Sequence, residues 1–294
     1  MGKNGTHPFF LIIPDIFLDK HFKKKYYMAI KKGDFLTGVV GDYKFTVVNG
    51  KQVVSSRVKA GTMKQTEPTK RASGNFGTAS ALCKHFRNLN QSLISGLSDA
   101  KMSKRLNGRF TTILNDYRDP ETYLYDFSEQ SFKSLQGFEL NETSPVRKRM
   151  LMLPEIKHDN RLLTLAFPES DQTISLKFPA KSHVCEMIAS VAMFDLKKCT
   201  KAPAVETQQK MIEKKNPIIS DFKFEFEVPP GCLCVVSLFL KYYTVLDIRG
   251  TMLNTKKFSP AAICGAIITP GTNEGYDTSN WLEMNKIQIS QTGQ

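Results

Sequence analysis

The chain has 294 residues, 41% apolar and 23% charged, which is enough to bury a sizeable core and too apolar for a disordered tail. Forty-one Lys and Arg face twenty-eight Asp and Glu, for a formal charge of +13. No window reaches eighteen uninterrupted apolar residues, so a transmembrane helix is not expected.

The charge is uneven. Residues 1–27 hold five Lys/Arg and two Asp/Glu, residues 28–110 fifteen and four, and residues 111–294 twenty-one and twenty-two. The basic character therefore belongs to the first third, and such asymmetry points to two modules, one of them facing an anionic partner.

The first apolar stretch, Phe9 to Leu18, is broken by Pro14 and Asp15, and the Lys23–Lys25 cluster follows it instead of preceding it. No small-residue cleavage site is present, so the pattern is not that of a secretory signal, and Pro14 would break an amphipathic anchor helix. FKKKYY reads as a translated leader ahead of a native start at Met28, which makes residues 1–27 a non-native leader or disordered.

From Phe35 to Arg57, FLTGVV, YKFTVV and KQVVSSRV are separated by Gly41-Asp42 and Asn49-Gly50. Asn-Gly favours the type I′ turn of a tight hairpin, so a three-stranded meander is predicted, one that needs a partner over its apolar face. Next, Phe76, Ala79, Cys83 and Phe86 recur at helical spacing, with Leu82, Leu89 and Leu93 widening the stripe. Thr66 offers a cap and Pro68 suits a first turn, while Gly74 and Gly77 move the expected firm start towards Phe76. A second helix from Ala100 to about Asn115 buries Met102, Leu106, Phe110, Ile113 and Leu114. Together the two helices are expected to cover the meander.

That arrangement turns Lys70, Arg71, Lys84, Arg87, Lys101, Lys104, Arg105 and Arg109 outward as one basic face. The plain reading is a solubilising helix surface. The sharper one is docking onto nucleic-acid phosphates or an acidic protein. Gly74-Asn75-Phe76-Gly77 has the GxxG spacing of a KH loop but lacks basic residues inside it, and its flanks are not in KH order.

Beyond Arg118 the chain turns β-rich. RLLTLAFP, TISLKFP and FKFEFEV alternate, HVCEMIASVAMFDL is a strand pair or one long bent strand, and CLCVVSLFLKYYTV suits a strand buried on both faces. Short strands with Pro/Gly turns predict an immunoglobulin-like antiparallel β-sandwich, although no Cys…Trp…Cys pattern supports a true immunoglobulin domain. Residues 245–294 contain short strands and loops without an assigned place. The expected organisation is α+β: a basic meander-plus-helices module over 28–150, then a sandwich over 151–294.

Catalytic chemistry is sought without a match. No G-x-S-x-G elbow, Walker loop, G-x-G-x-x-G or H-E-x-x-H occurs. The five histidines are scattered, and Asp116/Asp119 and Glu225/Glu227 read as solvated charges. Cys83, Cys185, Cys199, Cys232, Cys234 and Cys264 form no cluster and read as small buried apolar residues of a reducing, cytoplasmic compartment. His183, Cys185, Cys199, Cys232 and Cys234 lack turn-type zinc spacing. No catalytic residue, cofactor or metal is expected.

Several features recur together: Gly38-Val39-Val40-Gly41, Arg57 ending the hairpin, Gln65-Thr66 with Thr69, Ala72 to Gly77, and Gly137 to Asn141. In these the chain resembles a group of uncharacterised Bacteroidota proteins, from Met28 to the mid-240s, with three residues where that group has two between Ala72 and Phe76. The resemblance implies a start at Met28 and carries no assigned activity. The expected role is a non-enzymatic structural or protein-interaction scaffold, such as part of a phage-like or surface-associated assembly, acting through self-association or a protein partner. The alternative is a nucleic-acid-binding protein using the basic face of residues 64–109.

Overall fold

Asn49 and Gly50 both take positive φ, 50° and 74°, as a type I′ turn requires. The computed structural model, which describes residues 29–57, 64, 66–245, 250–273, 275–285, 287 and 289, places the predicted hairpin there. The sheet has four strands instead of the predicted three: β1 (Ala29–Lys32), β2 (Phe35–Val40), β3 (Tyr43–Val48) and β4 (Lys51–Ser56), antiparallel in that order. The extra strand forms because Gly33, at φ +61°, closes a tight turn that pairs Lys32 with Phe35. No residue of these four strands is buried. The expected leader over 1–27 and start at Met28 lie outside the described residues.

The chain divides into two compact units, residues 1–66 and 67–294. In the second unit α1 (Glu67–Leu89) begins nine residues before Phe76, since Pro68 fits its first turn and buried Asn75 and Thr78 anchor the stretch around the glycines. A single turn, α2 (Gln91–Ile94), and α3 (Met102–Asp116) follow. Their apolar stripe fits the expected one at Ala79, Leu82, Cys83, Phe86, Leu106 and Phe110, all buried. Phe76 departs from it and is 56% exposed.

The strands then run β5 (Phe138–Glu139), β6 (Glu155–Asp159), β7 (Leu162–Phe167) and β8 (Ser170–Asp171), followed by the short helix α4 (Gln172–Ser175). Next come β9 (Val184–Asp195), β10 (Thr200–Lys201), β11 (Glu206–Glu213) and β12 (Ile218–Ile219). The last four are β13 (Phe222–Glu227), β14 (Leu233–Tyr243), β15 (Ala261–Ile268) and β16 (Leu282–Glu283). A seven-stranded antiparallel sheet has the order β16-β10-β9-β14-β15-β5, with β11 also paired to β9, and a three-stranded sheet has the order β13-β7-β6.

Alternation along β9 and β14 assigns their two faces. Ile188, Ala192, Phe194, Leu233, Val235 and Phe239 share a core with α1 and α3. Met187, Ala189, Val191, Cys234, Val236 and Leu238 share a second core with Leu163, Leu165, Phe224 and Phe226 of the small sheet. Helices, large sheet and small sheet therefore form three layers. The helix stripe expected over the meander serves the large sheet. Facing antiparallel sheets agree with a β-sandwich, but the strand order does not confirm an immunoglobulin-like one. TISLKFP, expected as a strand, instead opens with α4, because the Asp171 carboxylate accepts the Thr173 N–H at 2.8 Å and caps that turn. Among the described residues no helix is long and apolar enough to cross a membrane.

Candidate functional site

The eight predicted basic residues do not form one free face. Lys70 is ion-paired with Glu67 at 2.7 Å, one turn earlier on α1. The Arg71 guanidinium lies 4.3 Å from the centre of the Tyr123 ring. Lys101 and Lys104 are exposed. Lys84 and Arg87 line one cleft, and Arg105 and Arg109 line another.

The α3 cleft encloses about 750 Å³, and its charge is largely neutralised from within. Arg105 donates to the Asp99 carboxylate at 2.5 Å and to the Glu139 carbonyl at 2.9 Å, and it stacks over the Phe138 ring. Its Nε lies 3.2 Å from a Glu142 carboxylate oxygen without the alignment needed to donate. Asp99 also accepts the Lys101 and Glu142 N–H groups. Despite its partial desolvation, these bonds hold its carboxyl below the usual range. Glu139 accepts the Val146 N–H at 2.8 Å, yet burial raises its carboxyl. Arg105 is thus a structural tie between α3 and the 139–142 segment. Arg109 and Arg147 are the exposed cations of this cleft.

The α1 cleft encloses about 640 Å³ between the exposed Phe76 and Lys84 with the half-buried Arg87 on one side and Lys201, Leu282 and Glu283 on the other. Lys201 stands directly opposite Phe194 and Leu282 in the large sheet, and directly paired residues share a face. Its side chain therefore lies on the helix-covered face, where an apolar residue is the rule. It is only 8% exposed, and burial lowers its pKa. Beside it, burial lowers the His85 pKa; the backbone of Asn285 acts against this, and the Lys201 and Lys84 cations add to it. Among the described residues, none of Lys84, Arg87 and Lys201 is ion-paired.

The GxxG tetrad lies inside α1 and is no loop. Asn75, its buried member, is a hub: it donates to Asn115 at 2.7 Å and accepts from Arg118 at 3.0 Å and the Tyr125 hydroxyl at 2.5 Å. Its neighbour Phe76 consequently points to solvent, since successive helix positions face different ways.

The six cysteines are free, with Cys83, Cys185, Cys232 and Cys234 buried and Cys199 and Cys264 half-buried. Burial pushes the Cys232 and Cys264 thiols up to about 12, and those of Cys185 and Cys234 far above their ordinary value. The thiolate is the reactive form, so iodoacetamide applied to the native protein at mildly alkaline pH is expected to label Cys199 and spare Cys185, Cys232 and Cys234. Peptide mass spectrometry reads this, and prompt native labelling of Cys232 would contradict it. Among the described residues no group of three His, Cys, Asp or Glu side chains is placed to hold a metal ion.

Sequence reasoning missed Lys201 because one lysine in a short polar run carries no signal until cross-strand pairing puts it opposite Phe194. It missed the exposure of Phe76 because the amphipathic stripe accommodates it. A trace of that signal was present in the polar Asn75 next to it, whose burial displaces the ring. Compared with family models, curated proteins and solved structures, the chain matches none of them.

Proposed function

We propose that this protein is a non-enzymatic structural scaffold that self-associates through its N-terminal sheet. The observation carrying this reading is the β1–β4 sheet itself, which has no buried residue and exposes Ile30, Val40, Tyr43, Val48, Val53 and Val54. A sheet of this size is marginal in water and gains stability once covered or extended. Its two edges differ. Edge β1 carries Lys31 and Lys32, charges that blunt an edge, whereas β4 carries only Lys51 at its first position, with no proline. A second copy of the chain, meeting β4 with its own β4 in antiparallel fashion, would pair the outer backbone groups of both, which no strand among the described residues pairs, through one two-fold contact.

Sedimentation velocity on the full chain is expected to show a dimer that persists in high salt, because backbone hydrogen bonds and apolar contacts are weakly screened. Val53→Lys with Val54→Lys is expected to give a folded monomer. A wild-type monomer at every concentration, or an unchanged dimer in the double variant, would refute the reading.

Nucleic-acid binding is the second reading, favoured by the exposed Lys84, Lys101, Lys104 and Arg109, which have no ion-pair partner among the described residues. It requires duplex affinity that falls steeply with salt and is lost on reversing those four charges.

A further inference from the structure

We infer that the cleft beside α1 binds a phosphate ester carrying a flat aromatic ring, a ligand of nucleoside monophosphate size. Lys201 is the reason to expect an anion. A lysine on the helix-covered face of a sheet, 8% exposed and without an ion-pair partner among the described residues, is costly to keep charged. Its ammonium lies at the wall of a cleft where Lys84 and Arg87 stand across from it. The Nε of Arg87 and the Nδ1 of His85 are buried there without a hydrogen-bond partner. Three cations, one of them with an unpartnered Nε, and the unpartnered Nδ1 of His85 around one opening describe a site lacking a multiply charged acceptor, and a phosphate group meets that need with several oxygens at once.

The rest of the ligand follows from Phe76. It is the exposed aromatic of the cleft, held outward by the anchoring of Asn75, and it offers a stacking surface beside the cations. Ser80 and Asn88 add hydrogen-bonding groups along the same wall, and among the described residues Glu283 is the one carboxylate lining it. A volume of about 640 Å³ lies within the usual range for small-molecule pockets and holds a single nucleotide. Arg105 and Arg147 in the α3 cleft do not compete for this role, since Glu139 and Glu142 stand among them.

The site is independent of the β4 edge, so its test and that of self-association fail separately. Isothermal titration of the full chain uses three probes: adenosine monophosphate, adenosine and inorganic phosphate. The monophosphate is expected to bind at one site per chain and more tightly than either fragment. Lys201→Met is expected to weaken it roughly tenfold or more while the fold is kept, since the cation at the cleft wall has been removed. Lys84→Met, on the exposed wall, is expected to weaken binding without a change in melting temperature. Phe76→Ala is expected to lose roughly fivefold or more for the monophosphate and nothing for inorganic phosphate. Absence of saturable binding, equal affinity for adenosine and its monophosphate, or unchanged binding in Lys201→Met would each overturn the assignment.

Discussion

Phe86→Ala is expected to lower the unfolding free energy by about 3–5 kcal/mol, the range for deleting a fully buried phenyl ring. Phe86 is 0% exposed and belongs to the core in which α1, α3 and the helix-facing side of β9 and β14 meet. Its neighbours are themselves held by other packing, so they collapse only partly into the space left, and the cavity adds to the lost transfer energy. The same helix supplies the control. Phe76→Ala removes an identical ring from an exposed position and is expected to change stability by less than about 0.5 kcal/mol. Urea unfolding of both variants, with the midpoint falling and the slope unchanged, measures the difference. A similar small loss in both would mean that α1 does not use the Phe86 side against the sheet.

Gly231→Ala is the second large effect, at about 2–4 kcal/mol. Gly231 has φ +69° in the turn from β13 to β14, so any side chain there is strained. A Cβ at this position would also stand 2.8 Å from the Gly271 carbonyl oxygen, a backbone atom with no rotamer to escape into. The turn is fixed on every side: Gly231 donates to the Thr269 carbonyl, Cys232 donates to the Thr269 hydroxyl, and that hydroxyl donates to the Pro229 carbonyl. Gly41→Ala separates the two causes, because Gly41 has a similar φ, +57°, with open space around it. It is expected to cost about 1 kcal/mol. Equal losses in the two variants would show that the contact with Gly271 relaxes freely.

What was legible in the sequence was what local chemistry decides. Asn49-Gly50 specified its hairpin, the apolar run over 233–243 specified a strand buried on both faces, the run over 184–195 is the single long strand of the two alternatives it offered, and Cys83, Phe86, Leu106 and Phe110 marked the inner sides of two helices. What failed depends on partners far away. Glu206–Glu213 has no place among the strands expected from sequence and is a strand because eight consecutive residues find β9. Ala261–Ile268 lies in the stretch 245–294, whose short strands had no assigned place. Gly265 there comes within reach of Ile156, so that an added Cβ would stand 2.5 Å from its Cδ1. The helices were legible as helices and not as neighbours, since an apolar stripe does not name the surface it covers. The surroundings of the basic residues were illegible for a related reason: spacing placed them off the apolar stripe, whereas Asp99 and Glu142, which occupy Arg105, are brought to it by folding.

The place of β15 has a consequence for vectorial synthesis. It lies between β14 and β5, so that Phe138 pairs with Ile263 and Leu233 with Ile268. Phe138 leaves the ribosome long before its hydrogen-bonding neighbour exists, and the outer edge of β14 stays open until residues 261–268 emerge. The large sheet therefore closes late in translation, and the nascent chain holds a long apolar strand with an open edge during that interval. That is the stage at which chaperone occupancy, read by ribosome-associated capture, should be greatest.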